Sequence, residues 1–203
     1  WWGHNEYSRM RADMLADLGY VALAVDMYGD GKQAEHPNDA GQFAGAVLGN
    51  FDVAKARFEA AMKTLKNHPN VDPDKIGAIG YCFGGSTVLS MANAGYDLDA
   101  VAAFHAGLQL PVMPEEGSVK GKVLVANGAA DKFITEQQIA DYRAAMDAAG
   151  ADYTFINYEG ALHSFTSKAA DEYAEKFEMP IAYDAAADSA SWEEMKVLFT
   201  AAF

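Results

Sequence analysis

Ile79-Gly80-Tyr81-Cys82-Phe83-Gly84-Gly85 is the stretch on which the fold turns. It closes the apolar run that starts at Ile76 and leads straight into residues 84–94, whose pattern is helical. A strand, a sharp turn and a helix are therefore expected in immediate succession. Gly80-x-Cys82-x-Gly84 is the pattern of a nucleophile elbow with Cys in place of Ser. So tight a turn demands little bulk two positions before and two after the nucleophile. It lifts the thiol above the sheet at a helix N-terminus, where unpaired N–H groups and the helix dipole favour a thiolate and, later, an oxyanion. The N–H of Phe83 is the expected first oxyanion donor. A buried structural cysteine in a glycine-rich turn is the plain alternative. No phosphate-loop or dinucleotide glycine pattern is present.

Outward from the elbow, strands alternate with helices. Residues 20–25, 76–81, 99–105, 122–127 and 153–158 read as short, mostly apolar strands. Residues 5–18, 51–67, 84–94, 135–149, 169–177 and 185–202 read as helices, and the Gly-, Asp-, Asn- and Pro-bearing stretch 27–40 as a loop. Five such strands predict a mostly parallel sheet covered on both faces, a three-layer α/β domain. At 203 residues, with no repeat, linker or composition break, one domain spanning 1–203 is expected.

Composition narrows the partners. Hydrophobic residues make up 51% and charged ones 22%, enough for a sizeable core. A net charge of −14 disfavours nucleic acid and anionic membrane surfaces, and no apolar run is long enough to span a bilayer. Cys82 is the single cysteine, so no internal disulfide is possible, and a reducing, cytoplasmic setting is the default expectation. The chain starts at Trp1 rather than Met, which reads as processing or truncation and leaves any upstream signal unseen.

In parallel sheets, ligands gather at the carboxyl ends of the strands. A nucleophile there needs a base and an orienting acid, expected in the chain order nucleophile, acid, histidine. Asp131 follows the strand 122–127, 49 residues after Cys82, and His163 follows the strand 153–158, a further 32 on. Asp131 could instead serve a turn or cap a helix, and His163 could be an ordinary loop histidine. His105 also ends a strand but precedes Asp131, which breaks the order; His4, His36 and His68 lie in loops or turns. The acidic stretch 171–178 reads as a solvated helix face rather than a metal site.

With these residues in view, the chain resembles the dienelactone hydrolase family of α/β-hydrolases. The matching segments are Trp1 to Tyr7, Leu18 to Gly29, Gly80-Tyr-Cys-Phe-Gly-Gly85 and Gly160-Ala-Leu-His-Ser-Phe165, with Ser191-Trp192 beside a final helix. The resemblance implies the α/β-hydrolase fold, without its N-terminal strands in this chain, and a Cys82-His163-Asp131 triad. It implies hydrolysis of a lactone or simple ester through a thioester, with no metal or organic cofactor and a small-molecule substrate as partner. It offers the backbone N–H of Trp1 as second oxyanion donor. Tyr81 and Trp2 are candidates for the pocket wall, although Trp1 and Trp2 read equally well as packing residues. Two departures stand out. The family places a Glu just before the segment that matches Trp1, and binds its substrate's carboxylate with arginines. Here Ser164-Phe-Thr-Ser-Lys168 follows His163 without an Arg, so dienelactone itself is not the expected substrate.

Two rivals come from other classes. Flavodoxin-like glyoxalase, chaperone and peptidase families also carry a cysteine elbow, but usually with His directly after the Cys, where this chain has Phe83. A catalytically idle α/β-hydrolase fold that binds a small molecule or senses redox state is the second.

Overall fold

The computed structural model describes residues Trp1–Phe203, which form two compact units, Trp1–Lys75 and Ile76–Phe203. The second carries the sheet. Its strands β1 (Gly77–Tyr81), β2 (Ala100–Phe104), β3 (Lys122–Gly128) and β4 (Tyr153–Tyr158) are all parallel and lie in the order β1-β2-β3-β4. Every residue of β2 is buried. Because successive side chains point to opposite faces, both faces of that strand are covered. The sheet is thus the middle layer of an α/β unit, with α4 (Phe83–Asn93) packed on β1 and β2, and α7 (Ala185–Ala202) packed on β2 and β3. No helix of the chain is long and apolar enough to cross a membrane.

Two helices of this unit start at side-chain caps. α5 (Glu136–Ala148) opens with a capping box: the Thr135 hydroxyl accepts from the Gln138 N–H, and the Gln138 side chain accepts from the Thr135 N–H. Asp184 caps α7 by accepting the N–H groups of Ala186 and Ala187, both at 3.0 Å. Between them α6 (Ala170–Phe177) covers the short helix expected near 169–177 and most of the acidic stretch.

The first unit holds helices α1 (Glu6–Asp17), α2 (Pro37–Leu48) and α3 (Phe51–Lys66). Two expectations need correction here. Residues 20–25 form no strand: they enter no ladder, and Val21 and Leu23 are exposed. β-Branched composition suits a strand, but only a neighbouring backbone can satisfy its N–H and C=O groups. The stretch 27–40 is a loop only as far as His36, because α2 begins at Pro37. The His36 ring caps it and proline occupies its first turn, where the missing N–H has no intrahelical partner to lose. Ala40, Phe43, Ala44 and Val47 follow helical spacing, with Ala40 and Val47 buried. Interspersed Gly41, Gly45 and Gly49 disguise that pattern.

The loop before α2 is held from within. The Asp26 carboxylate accepts the N–H groups of Tyr28, Gly29 and Gly31, which keeps its pKa below the ordinary value although burial pushes it up.

Candidate active site

Cys82 sits between β1 and α4 with φ 51° and ψ −114°, a left-handed conformation that a side chain adopts only under constraint. Backbone bonds hold it on both sides: its N–H donates to Phe104 O at 2.9 Å, and its C=O accepts from Ser86 N–H at 3.0 Å. Glycines make the turn possible, in a pattern that sequence reasoning placed only partly. A Cβ on Gly80 would lie 2.1 Å from the Gly84 carbonyl oxygen, and one on Gly85 2.8 Å from the Ala106 Cβ. A Cβ on Gly84 would meet nothing within 4 Å. The bulk-free positions are therefore two before and three after the cysteine, since the backbone of Gly84, not its Cα substituent, presses on Gly80.

Asp131 and His163 come from the loops after β3 and β4. Gly128 lets those loops approach, because a side chain there would strike the carbonyls of Ala161 and Leu162, just before His163. Asp131 is buried and shares its two oxygens: Oδ1 accepts from Phe133 N–H at 2.8 Å, and Oδ2 pairs with His163 Nδ1 at 2.7 Å. The backbone of His163 bridges to Ile181 in parallel, and its carbonyl accepts the Ala182 N–H. The imidazole in turn is hydrogen-bonded to the half-buried Cys82. With Nδ1 engaged by Asp131, the ring offers Nε2 to the sulfur.

The electrostatics of the pair follow from that contact. Burial alone would push the Cys82 thiol up, but positive charge, foremost that of His163 beside it, and hydrogen bonds from His163 and Phe83 N–H lower it to about 6. Burial would likewise lower His163, but the Cys82 charge and the Asp131 hydrogen bond raise it to about 10. The two shifts, downward for the thiol and upward for the imidazole, both favour the thiolate–imidazolium form of the pair. The side chains do not gather three His, Cys, Asp or Glu in an arrangement that would hold a metal ion.

The remaining candidates have separate places. Phe83 is the first residue of α4, so its N–H has no acceptor within the helix. Tyr81, at the end of β1, stacks on Phe104 with centroids 4.6 Å apart. Trp1 and Trp2 belong to the first unit, where their rings meet edge to face at 5.6 Å. There the Trp1 carbonyl accepts the Tyr28 hydroxyl, and the Trp2 carbonyl accepts the Ala34 N–H.

Two neighbours of His163 lay outside the sequence reading of the site. His105, weighed there only as a rival base, is buried with φ 39°, packs edge to face on His163 at 5.1 Å, and places Nε2 2.8 Å from Thr166 Oγ1. It thus ties the end of β2 to the loop that carries His163. Phe133 packs edge to face on the His163 imidazole as well, at 5.1 Å and 79°. A weak signal existed for Phe133 alone, since it stands two residues after Asp131.

The sequence model of the dienelactone hydrolase family matches residues 1–203. Among solved structures, m3DLH superposes with a TM-score of 0.92 at 38% identity, covering 100% of this chain and 83% of its own. A dienelactone hydrolase-like promiscuous phosphotriesterase from metagenomic libraries gives 0.90 at 33% identity, with the same coverages of 100% and 83%. A carboxymethylenebutenolidase of Pseudomonas putida is 29% identical over 184 residues, 84% of this chain and 74% of the relative.

Proposed function

The chain belongs to the dienelactone hydrolase family, and from that membership and the geometry of the site we propose that it hydrolyses carboxylic esters or lactones through a Cys82-His163-Asp131 triad and a thioester. The observation that carries this reading is the continuous hydrogen-bonded run from Asp131 through His163 to Cys82, assembled at the carboxyl ends of β3, β4 and β1. The P. putida relative, a carboxymethylenebutenolidase by name, supports the same substrate class.

The Cys82 thiolate attacks the ester carbonyl and forms a C–S bond, and the carbonyl electron pair moves to oxygen. That oxygen takes up the N–H of Phe83, which the sulfur releases as it loses its charge. On collapse the C–O bond breaks, the leaving oxygen receives the proton from His163 Nε2, and the acyl group remains on sulfur. His163, now neutral, takes a proton from water, whose oxygen attacks the thioester; the acid departs and the thiolate–imidazolium pair is restored. Asp131 holds Nδ1 throughout and keeps the ring in the tautomer that both steps use.

A thiolate leaves a tetrahedral intermediate more readily than an alkoxide, so esters with good leaving groups turn over best. Equal turnover of ethyl and aryl esters would count against this. A working thiol must stay reduced, which suits a cytoplasmic setting.

The test is the intact mass after brief exposure to p-nitrophenyl acetate, for the protein and for Cys82→Ala. An acetyl adduct that needs Cys82 and decays as nitrophenol accumulates supports the thioester. Turnover without an adduct that persists in Cys82→Ala overturns it.

A further inference from the structure

Of the chain's 3 Trp, 10 Tyr and 11 Phe, a single side chain is exposed, and it is Phe133. It is 48% exposed, whereas nearby Phe165 and Phe104 are fully buried. An isolated aromatic on a surface needs no explanation in general. This one stands against the imidazole of His163, with centroids 5.1 Å apart and planes at 79°. Its backbone is fastened to the same place, because its N–H donates to Asp131 Oδ1 while Asp131 Oδ2 holds His163 Nδ1. The ring is thus tethered beside the base with much of its surface open.

We propose that Phe133 determines specificity for the leaving group: its open ring is the surface on which the alcohol part of the ester lies, and it selects aryl and other flat, unsaturated alcohols. The assignment rests on the thioester reading and adds to it the substrate class.

Nδ1 of His163 is taken by Asp131, so the proton for the leaving oxygen comes from Nε2. That oxygen must then lie about 3 Å from the imidazole at collapse. Its substituent starts one bond further out, beside an imidazole on which the Phe133 ring packs with centroids 5.1 Å apart. The acyl part, bound to sulfur, is directed by Cys82 instead. A flat unsaturated alcohol can meet Phe133 in an offset or edge-to-face arrangement and remove its exposed surface from water. A small saturated alcohol gains less from the same ring.

The experiment compares phenyl acetate with hexafluoroisopropyl acetate, an aryl and a fluoroalkyl ester whose alcohols are of comparable acidity, so that ring contact is separated from leaving-group quality. Both are measured with the protein, Phe133→Ala and Phe133→Leu, alongside the pH profile of Cys82 alkylation by iodoacetamide. In Phe133→Ala the ratio of kcat/KM for the phenyl ester over the fluoroalkyl ester should fall by about tenfold, with Phe133→Leu between the two. The alkylation midpoint should stay in place. Equal losses on both esters, or a shifted alkylation midpoint, would mean that Phe133 only supports His163 and would overturn the assignment. Failure of both esters to acylate Cys82 in the unaltered protein would overturn the thioester reading first, and this proposal with it.

Discussion

The elbow at Cys82 and the loop that carries His163 reach the same site by different means. Cys82 is placed by backbone: a left-handed φ, hydrogen bonds on both sides, and a glycine at 80 on which the next turn rests. His163 is placed by side chains: Asp131 on Nδ1, His105 and Phe133 against the ring, and Thr166 bonded back to His105. Backbone packing has almost no freedom to relax, whereas a set of side-chain contacts loses its effect one member at a time. The two regions should therefore fail differently when altered.

The largest effect is expected at Gly80. An added methyl would sit against backbone atoms on a helix end, so Gly80→Ala should cost at least about 3 kcal/mol and lower Tm by roughly 10 °C, with acylation of Cys82 lost. A thermal melt beside the mass assay checks both. A stable, active Gly80→Ala would break the contrast at once.

Next comes Asp131→Asn, in which the amide cannot hold the protonated imidazole as the carboxylate does. Ester turnover should drop by about 100- to 10,000-fold, in the range seen when a triad acid is removed. The alkylation midpoint of Cys82 should move upward, because His163 loses one of the interactions that keep it charged. A large loss of turnover with an unmoved midpoint would limit Asp131 to steering the ring.

Thr166→Val is milder. It deletes one buried hydrogen bond to His105, for which a loss of about 1–2 kcal/mol in stability is expected, with turnover reduced by less than about tenfold. Chemical denaturation and steady-state kinetics separate the two. Smallest of all is Gly84→Ala. Its Cβ enters open space in the first turn of α4, so the change should lie within about 1 kcal/mol of the parent and on the stabilising side. If it harmed the protein as much as Gly80→Ala, the account of which glycine carries the turn would be wrong.

The same division explains what could be read from the sequence. The places of Cys82, Asp131 and His163 after the ends of three parallel strands were legible because apolar runs mark the strands and chain order survives folding. Four of the five expected strands are present with boundaries within two residues, since apolar runs between turn residues report burial directly. Residues 20–25 misled because strand formation depends on a partner that composition does not reveal. α2 was hidden by its glycines, although His36-Pro37 marks its start. The contacts of His105 with His163 and Thr166 join residues 58 and 61 positions apart, and no local pattern encodes them.

Pairing of a Cys82 thiolate with the His163 imidazolium is read from the pH dependence of Cys82 alkylation by iodoacetamide. Alkylation follows the thiolate, so its rate rises through the thiol's pKa. A thiolate held by the imidazolium gives a midpoint at about 6 and a plateau through neutral pH. A midpoint at about 8.5, the value of an unperturbed cysteine, would contradict it.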